Sequence, residues 1–293
     1  MKALVLSALA VGMLSACAHK QSTSQTNDSA TNCTENAKDG VEKTDSITGA
    51  TIKTFNVAGV DIDMVKVDGG QFKMGATPEQ GTKDPDPDEK NIHNVTISTF
   101  YLGKYEVTQK LWTAVMGNNP SVYTNDNAPV EMVSWEDCET FINKLNSISK
   151  LNFRMPTEAE WEFAARGGVK SKNYKYSGSN KLDEVGWYIE ATTDDEIEGE
   201  PHEVGLKKPN EIGIYDMSGN VWEWCQDWYR DQYEGDNLTD PLVTEPNNLR
   251  ARCFRGGSWY GNSARYCRTA NRSGNSPDYK SHVGGLRLAI NAK

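Results

Sequence analysis

The chain has 293 residues, with 31 Lys and Arg against 41 Asp and Glu, a net charge of −10. That length suits one large domain or two small ones, and the acidic balance argues against a nucleic-acid binder, which needs a basic footprint. Eight Trp, 12 Tyr and 25 Gly point to a loop-rich domain held by aromatic packing.

Met1-Lys2 carries one positive side chain, and Ala3 to Leu14 is an apolar run too short to span a bilayer. It ends in Leu14-Ser15-Ala16-Cys17, which resembles a bacterial lipobox. Residues 1–16 are therefore expected to be a signal peptide and Cys17 the lipidation site. The membrane is then reached through an N-terminal lipid. Ala18 rather than Asp follows, so the resemblance favours the outer membrane of the cell envelope if the cell is Gram-negative. Five further cysteines remain, Cys33, Cys138, Cys225, Cys253 and Cys267. Disulfides persist in an exported protein, and pairing among the last three is left open. Cys138 reads as a small buried hydrophobe.

Residues 17–57 are polar and poor in large apolar side chains, so a flexible tether is expected. About 40 such residues reach roughly 35 Å as a random coil. Residues 58–293 form the domain. Val60, Ile62, Met64, Val65 and Val67, closed by Gly69-Gly70, predict a strand and turn. Asp84 to Glu89, acidic and proline-containing, predicts an exposed loop. Val95–Ile97 and Phe100–Leu102 predict strands. Thr108 caps a helix through Trp112 and Val115. Ser134 with Asp137, and Thr157 with Glu160, are spaced to cap two more. Gly167-Gly168 stops the last of these. Beyond residue 170 the pattern is loop and short strand, with an acidic loop at Asp194 to Glu200. Trp222, Trp224 and Trp228 are expected to pack in the core. Arg268, Arg272 and Arg287 are expected to pair with Glu158, Glu160 or Glu162.

In chain order, the motifs are Met64-Val-Lys-Val-Asp-Gly-Gly70, Tyr105-Glu-Val-Thr-Gln109, Pro129-Val-Glu-Met-Val-Ser-Trp135, Arg154-Met-Pro-Thr-Glu-Ala-Glu-Trp161, Gly219-Asn-Val-Trp-Glu-Trp224 and Arg255-Gly-Gly-Ser-Trp259. Together they resemble the formylglycine-generating enzyme, or sulfatase-modifying factor, family over residues 60 to 290. The resemblance implies an α+β, C-type-lectin-like fold in one loop-rich domain. It does not by itself imply the activity.

That enzyme resembles a copper-dependent oxidase built on two thiols soon after the Gly-Gly-Ser motif, because soft Cu(I) takes thiolates. Here the first thiol position falls on Gly261 and the second near Ser263 to Arg265. Neither region holds a cysteine, so no catalytic residue is assigned and copper is not expected. An iron-dependent branch of the family would need histidines at ligand spacing. The four here, His19, His93, His202 and His282, lack it.

The resemblance also implies a structural calcium site, with the side chains of Asp216 and Glu223 and the carbonyls of Gly219 and Val221 as hard oxygen ligands. Between the anchors Trp259 and Gly284 the chain is rich in Tyr, Ser, Asn and Gly. This is the composition of binding surfaces that combine rigid aromatics with adaptable polar groups. It also resembles the variable region of proteins diversified by retroelements. Trp259, Tyr260, Asn262, Arg265, Tyr266, Tyr279 and His282 are the expected ligand-binding residues, for a protein or glycan ligand.

The sequence thus predicts a lipid-anchored envelope protein whose domain binds a ligand through its C-terminal loop face without family chemistry. Two alternatives stand beside it. One is an oxidase using a relocated thiol pair such as Cys253 and Cys267. The other is a structural lipoprotein of an envelope secretion or motility complex.

Overall fold

The computed structural model describes residues 40–292, apart from 82, 84, 190–198, 233–234 and 261–263. The signal segment, Cys17, Cys33 and most of the expected tether lie outside the described residues, as does most of the acidic loop at 194–200.

A five-stranded antiparallel sheet runs β1 (Val41–Thr44), β2 (Thr51–Val57), β3 (Val60–Val67), β6 (Phe100–Gly103) and β12 (Ala289–Asn291), in that spatial order. A three-stranded sheet joins β4 (Gly70–Met74), β5 (His93–Ile97) and β8 (Leu238–Thr239). A four-stranded sheet orders β10 (Arg272–Asn275), β9 (Arg252–Arg255), β7 (Trp222–Trp228) and β11 (Gly284–Leu286). Four helices accompany them among the described residues: α1 (Gln109–Met116), α2 (Trp135–Ser149), α3 (Glu158–Ala165) and the short α4 (Leu182–Val185). This sheet-rich single domain with few helices is the expected α+β fold. None of its described helices is long and apolar enough to cross a membrane.

The helices begin where the caps place them. The Thr108 side chain accepts from the Leu111 N–H, and both Ser134 with Asp137 and Thr157 with Glu160 close reciprocal capping boxes. On α2, Cys138, Phe141, Ile142 and Leu145 fall at helical spacing and are buried. Each large apolar side chain so buried contributes about 1.5–3 kcal/mol. They pack with α1, Trp224 and Phe254 in one core. A second core gathers Val65, Val67, Phe100, Trp161, Phe163 and Cys225. Cys267 lies apart from both, with Tyr176, Leu182 and Val185.

One boundary differs from the sequence reading. The tether expected through residue 57 has ended by β1, and β2 pairs with β3 from Ile52↔Val65 to Val57↔Val60. The polarity of this stretch reflects an edge: all of β1 is exposed, while Ile52, Phe55 and Val57 alone turn into the core. An edge strand needs few apolar residues, so composition concealed it.

The turn between β1 and β2 is pinned by Asp45. Its carboxylate accepts from the Thr48 N–H and hydroxyl at 2.9 Å and from the Ile47 N–H at 3.0 Å. Lys104 adds an ion pair at 3.1 Å, and its ammonium also lies 5.5 and 5.4 Å from the Tyr105 and Tyr215 ring centres. Burial pushes the Asp45 carboxyl up, but the Thr48, Lys104 and Ile47 donors outweigh it and hold it at about 2. A carboxyl depressed in the folded state adds stability above its unfolded pKa and loses it as pH falls through the folded value. Asp45→Asn is therefore expected to cost about 1 kcal/mol at pH 7. The gap from wild type should close between pH 4 and pH 2, as followed by urea unfolding.

Candidate binding face and its buried frame

The C-terminal residues are held by arginines with no exposed charge. Arg287 is 0% exposed. Its Nη2 and Nε donate to Glu223 at 2.6 and 2.9 Å, while Nη1 and Nη2 donate to the Gly103 and Tyr215 carbonyls at 2.9 Å. Glu223 also accepts from the Trp161 indole N–H at 2.7 Å. Arg255 donates to Glu162 and to the carbonyls of Thr269, Ala270 and Asn271. Arg272 forks onto Glu158 at 2.6 and 2.8 Å, as expected. The other two expected pairings are corrected. Arg268 forks onto Glu89 at 2.8 and 2.7 Å, and Arg287 takes Glu223. Glu89 is fully buried, so the acidic stretch ending there is not simply an exposed loop. Its acid faces inward because a guanidinium fork waits there.

The Gly219–Trp224 segment is a junction. The Asn220 side-chain amide donates to Glu106 at 2.8 Å, and its oxygen accepts from the His202 N–H at 3.0 Å. Its backbone donates to the Trp187 carbonyl and accepts from the Trp259 N–H at 2.7 Å. Gly219 has φ 95°, and a Cβ there would sit 2.2 Å from the Trp187 carbonyl oxygen. Gly257 has φ 74° and lies against Cys267, whose Sγ would be 2.7 Å from a Cβ. Only glycine suits both places.

Three buried acids, Glu106, Asp216 and Glu223, share Arg287 as the guanidinium among them. Burial pushes the Glu106 carboxyl well up, helped by Asp216 and Glu223. Burial likewise raises Asp216 to about 6, against the Gly205 N–H and Arg287 that favour its charge. Asp216 Oδ1 is buried with no hydrogen-bond partner, which suits a cation ligand. Glu223 does not fit the expected calcium set, because Arg287 and Trp161 occupy both its oxygens. Among the described residues no group of three or more His, Cys, Asp or Glu is arranged to hold a metal ion. Of the four expected ligands, Asp216 keeps one oxygen without a hydrogen bond, while Glu223 is held by Arg287 and Trp161.

Above this frame the expected contact residues form two groups. Tyr260 and His282 lie 5.5 Å apart, ring centre to ring centre, and each stands against Trp259 at 5.3 and 5.6 Å. Trp259 itself is 2% exposed. It is the floor of the group rather than a contact surface. The sequence reading missed Tyr123, whose ring meets Trp259 edge-on at 5.5 Å. Glu131 and Gln109 hold the backbone of Tyr123 in place, and neither acid nor amide revealed that from sequence. In the second group Arg265 lies over the Tyr266 ring at 5.3 Å and pairs with Asp86, while Tyr266 meets Trp222 at 6.4 Å. The groups adjoin through the Trp222 N–H, which donates to the Val283 carbonyl next to His282. Tyr260 and Tyr266 are 42% and 39% exposed. Tyr279 is exposed too, on a turn bonded through Pro277 and Ser281 to Glu136 and Met132. No described ring contact joins it to either group. Asn262 and Gly261 lie outside the described residues. Of the three tryptophans expected in the core, Trp224 is buried, whereas Trp222 and Trp228 are half-buried.

Cys138, Cys225, Cys253 and Cys267 are all free and buried. Burial pushes the first three thiols well up and Cys267 to about 12. Cys253 donates to Glu158 at 3.0 Å within one core, and Cys267 lies in another. A thiol in that setting is an inert packing group rather than a metal-binding thiolate.

Removing one partner of a buried ion pair leaves an uncompensated charge and costs about 3–5 kcal/mol. Arg287→Met should fall in that range by chemical denaturation. Adding Glu223→Gln should recover part of the loss, because the stranded carboxylate is removed.

The sulfatase-modifying factor enzyme 1-like domain family matches residues 50–292. The chain is 38% identical over 215 residues to the chaperone protein LppX of Paenibacillus barcinonensis, across 58% of this chain and 73% of that one. It is 33% identical over 195 residues to the formylglycine-generating enzyme of Streptomyces coelicolor, across 62% of this chain and 58% of that one. Among solved structures, Treponema denticola variable protein 1 superposes with a TM-score of 0.70 at 33% identity, over 82% of this chain and 99% of that chain. PvdO from Pseudomonas aeruginosa, at 23% identity and a TM-score of 0.67, covering 87% and 99%, shares the fold. With its motifs, its sheets and its arginine frame in place, the chain belongs to the sulfatase-modifying factor enzyme 1-like, or formylglycine-generating enzyme, family.

Proposed function

We propose that this is a lipid-anchored protein of the cell envelope, on the outer membrane, that binds a polypeptide through its C-terminal loop face without oxidase chemistry. The observation that carries the reading is the pair of adjoining aromatic groups, Tyr260–His282 and Arg265–Tyr266, seated on a buried frame. Exposed tyrosines on a rigid base offer contact area at small entropic cost. The thiols support the same reading. An oxidase with relocated sulfur ligands would need two accessible thiolates near one another, and the described thiols are buried, which pushes their pKa values up. Likeness to a protein named as a chaperone favours a polypeptide over a glycan as ligand. Likeness to a protein named as variable supports a diversified chain.

A displayed peptide library panned on the protein tests the binding face. Selected peptides should lose about tenfold or more in affinity on Tyr260→Ala with Tyr266→Ala, as for contact residues that dominate an interface. Tyr279→Ala should change little. Peptides that bind the double variant undiminished would place the site elsewhere. Cysteine-peptide oxidation that required copper and fell with Cys267→Ala would replace the reading with the oxidase.

The anchor has its own test. In a Gram-negative host fed an alkyne-tagged palmitate, the wild-type chain should carry the tag and Cys17→Ser should not. An untagged wild type would mean a plain signal peptide.

A further inference from the structure

A cleft of about 360 Å³ opens beside α2, β7 and the segment 242–244, lined among others by Trp135, Glu139, Asn143, Gln226, Leu242 and Arg252. None of the C-terminal contact residues lines it, so it is independent of the face described above. That volume is in the range of small-molecule sites.

Arg252 sets its chemistry. The guanidinium carbon stands 3.8 Å from the Trp135 ring centre and 3.7 Å from that of Trp228, so two indoles fix its plane. Its Nη1 donates to the Gln226 carbonyl at 2.8 Å, and its Nε is buried with no hydrogen-bond partner. Arg154, Arg166, Arg255, Arg268, Arg272 and Arg287 each hold a carboxylate. Arg252 forms no ion pair with any described acid. Of the acids that act on it, Asp227 is engaged by the Val243 and Glu158 N–H groups, and Glu139 lines the cleft. Burial lowers the Arg252 pKa against the pull of both, which reflects the cost of a cation without a counterion.

The cleft therefore presents the planar cation of Arg252, a separate exposed carboxylate, three side-chain amides, Arg154 already paired with Glu160, and the apolar side chains of Ile142 and Leu242. A monoanion would satisfy Arg252 and be repelled by Glu139. A zwitterion satisfies both. We propose that this cleft binds a free α-amino acid with an apolar side chain, its carboxylate on Arg252, its ammonium on Glu139 and its side chain against Ile142 and Leu242. A guanidinium held flat between indoles is preorganised for the two oxygens of a carboxylate.

Titration calorimetry of the intact protein with L-phenylalanine tests this, with 3-phenylpropanoate and 2-phenylethylamine as probes lacking one charge each. L-Phenylalanine should bind saturably, and each analogue should bind about tenfold or more weakly, the loss expected for one charged hydrogen bond. Glu139→Gln should weaken L-phenylalanine by a similar factor and leave 3-phenylpropanoate unweakened. Arg252→Lys keeps the charge but not the fork, and should weaken both. Should Arg252→Lys fail to fold, Glu139→Gln alters only an exposed side chain and carries the test alone. No heat with L-phenylalanine, or binding unmoved by Glu139→Gln, would overturn the proposal. So would 3-phenylpropanoate binding as tightly as the amino acid.

Discussion

The fold depends on burying Arg287 against Glu223. The guanidinium draws together the carbonyls of Gly103 in β6 and Tyr215 in the preceding loop, and the carboxylate adds the Trp161 indole of α3. One ion pair thus reaches β6, β7, α3 and the strand end after β11. Its cost of desolvation is tolerable because every nitrogen of Arg287 finds an acceptor. Burial pushes Arg287 down, but Glu223 outweighs it and holds it charged. Arg255, Arg268 and Arg272 repeat the solution with Glu162, Glu89 and Glu158. Together these forks do for a loop-rich chain what continuous hydrogen-bond ladders do for a regular one.

This frame explains how a rigid base can carry a permissive surface. The side chains that hold the backbone at 255, 268, 272 and 287 point inward, and Tyr260, Arg265 and Tyr266 point to solvent. Exchange at the outer positions leaves the buried pairs untouched.

Much of this was legible in the sequence. Ser134 with Asp137 and Thr157 with Glu160 marked two helix starts, because a cap is a local bond between neighbours. The alternation of Val60 to Val67 marked β3. Partners far apart in the chain were not legible. Nothing near Arg268 names Glu89, and an acidic, proline-rich stretch gives no sign that its last acid turns inward. Tyr123 escaped for a related reason: its place beside Trp259 is set by Glu131 and Gln109 through backbone bonds. Trp259 looked like a contact residue and is a floor, because sequence does not separate an aromatic that binds from one that supports others. The missed strands β1 and β2 show that composition reports burial: β1 is an exposed edge, and β2 beside it buries only Ile52, Phe55 and Val57.

The arginine forks also set when this chain can fold. Arg268 meets a partner 179 residues back, Arg272 one 114 back, Arg255 one 93 back and Arg287 one 64 back. Until residues 255–287 have emerged, Glu89, Glu158, Glu162 and Glu223 lack the guanidiniums that accompany them into the interior. Burying four lone carboxylates is prohibitive, so the partial chain stays open and hydrated. Contacts this distant also slow folding. The arrangement makes burial of these four carboxylates wait on residues 255–287, whose guanidiniums accompany them inward.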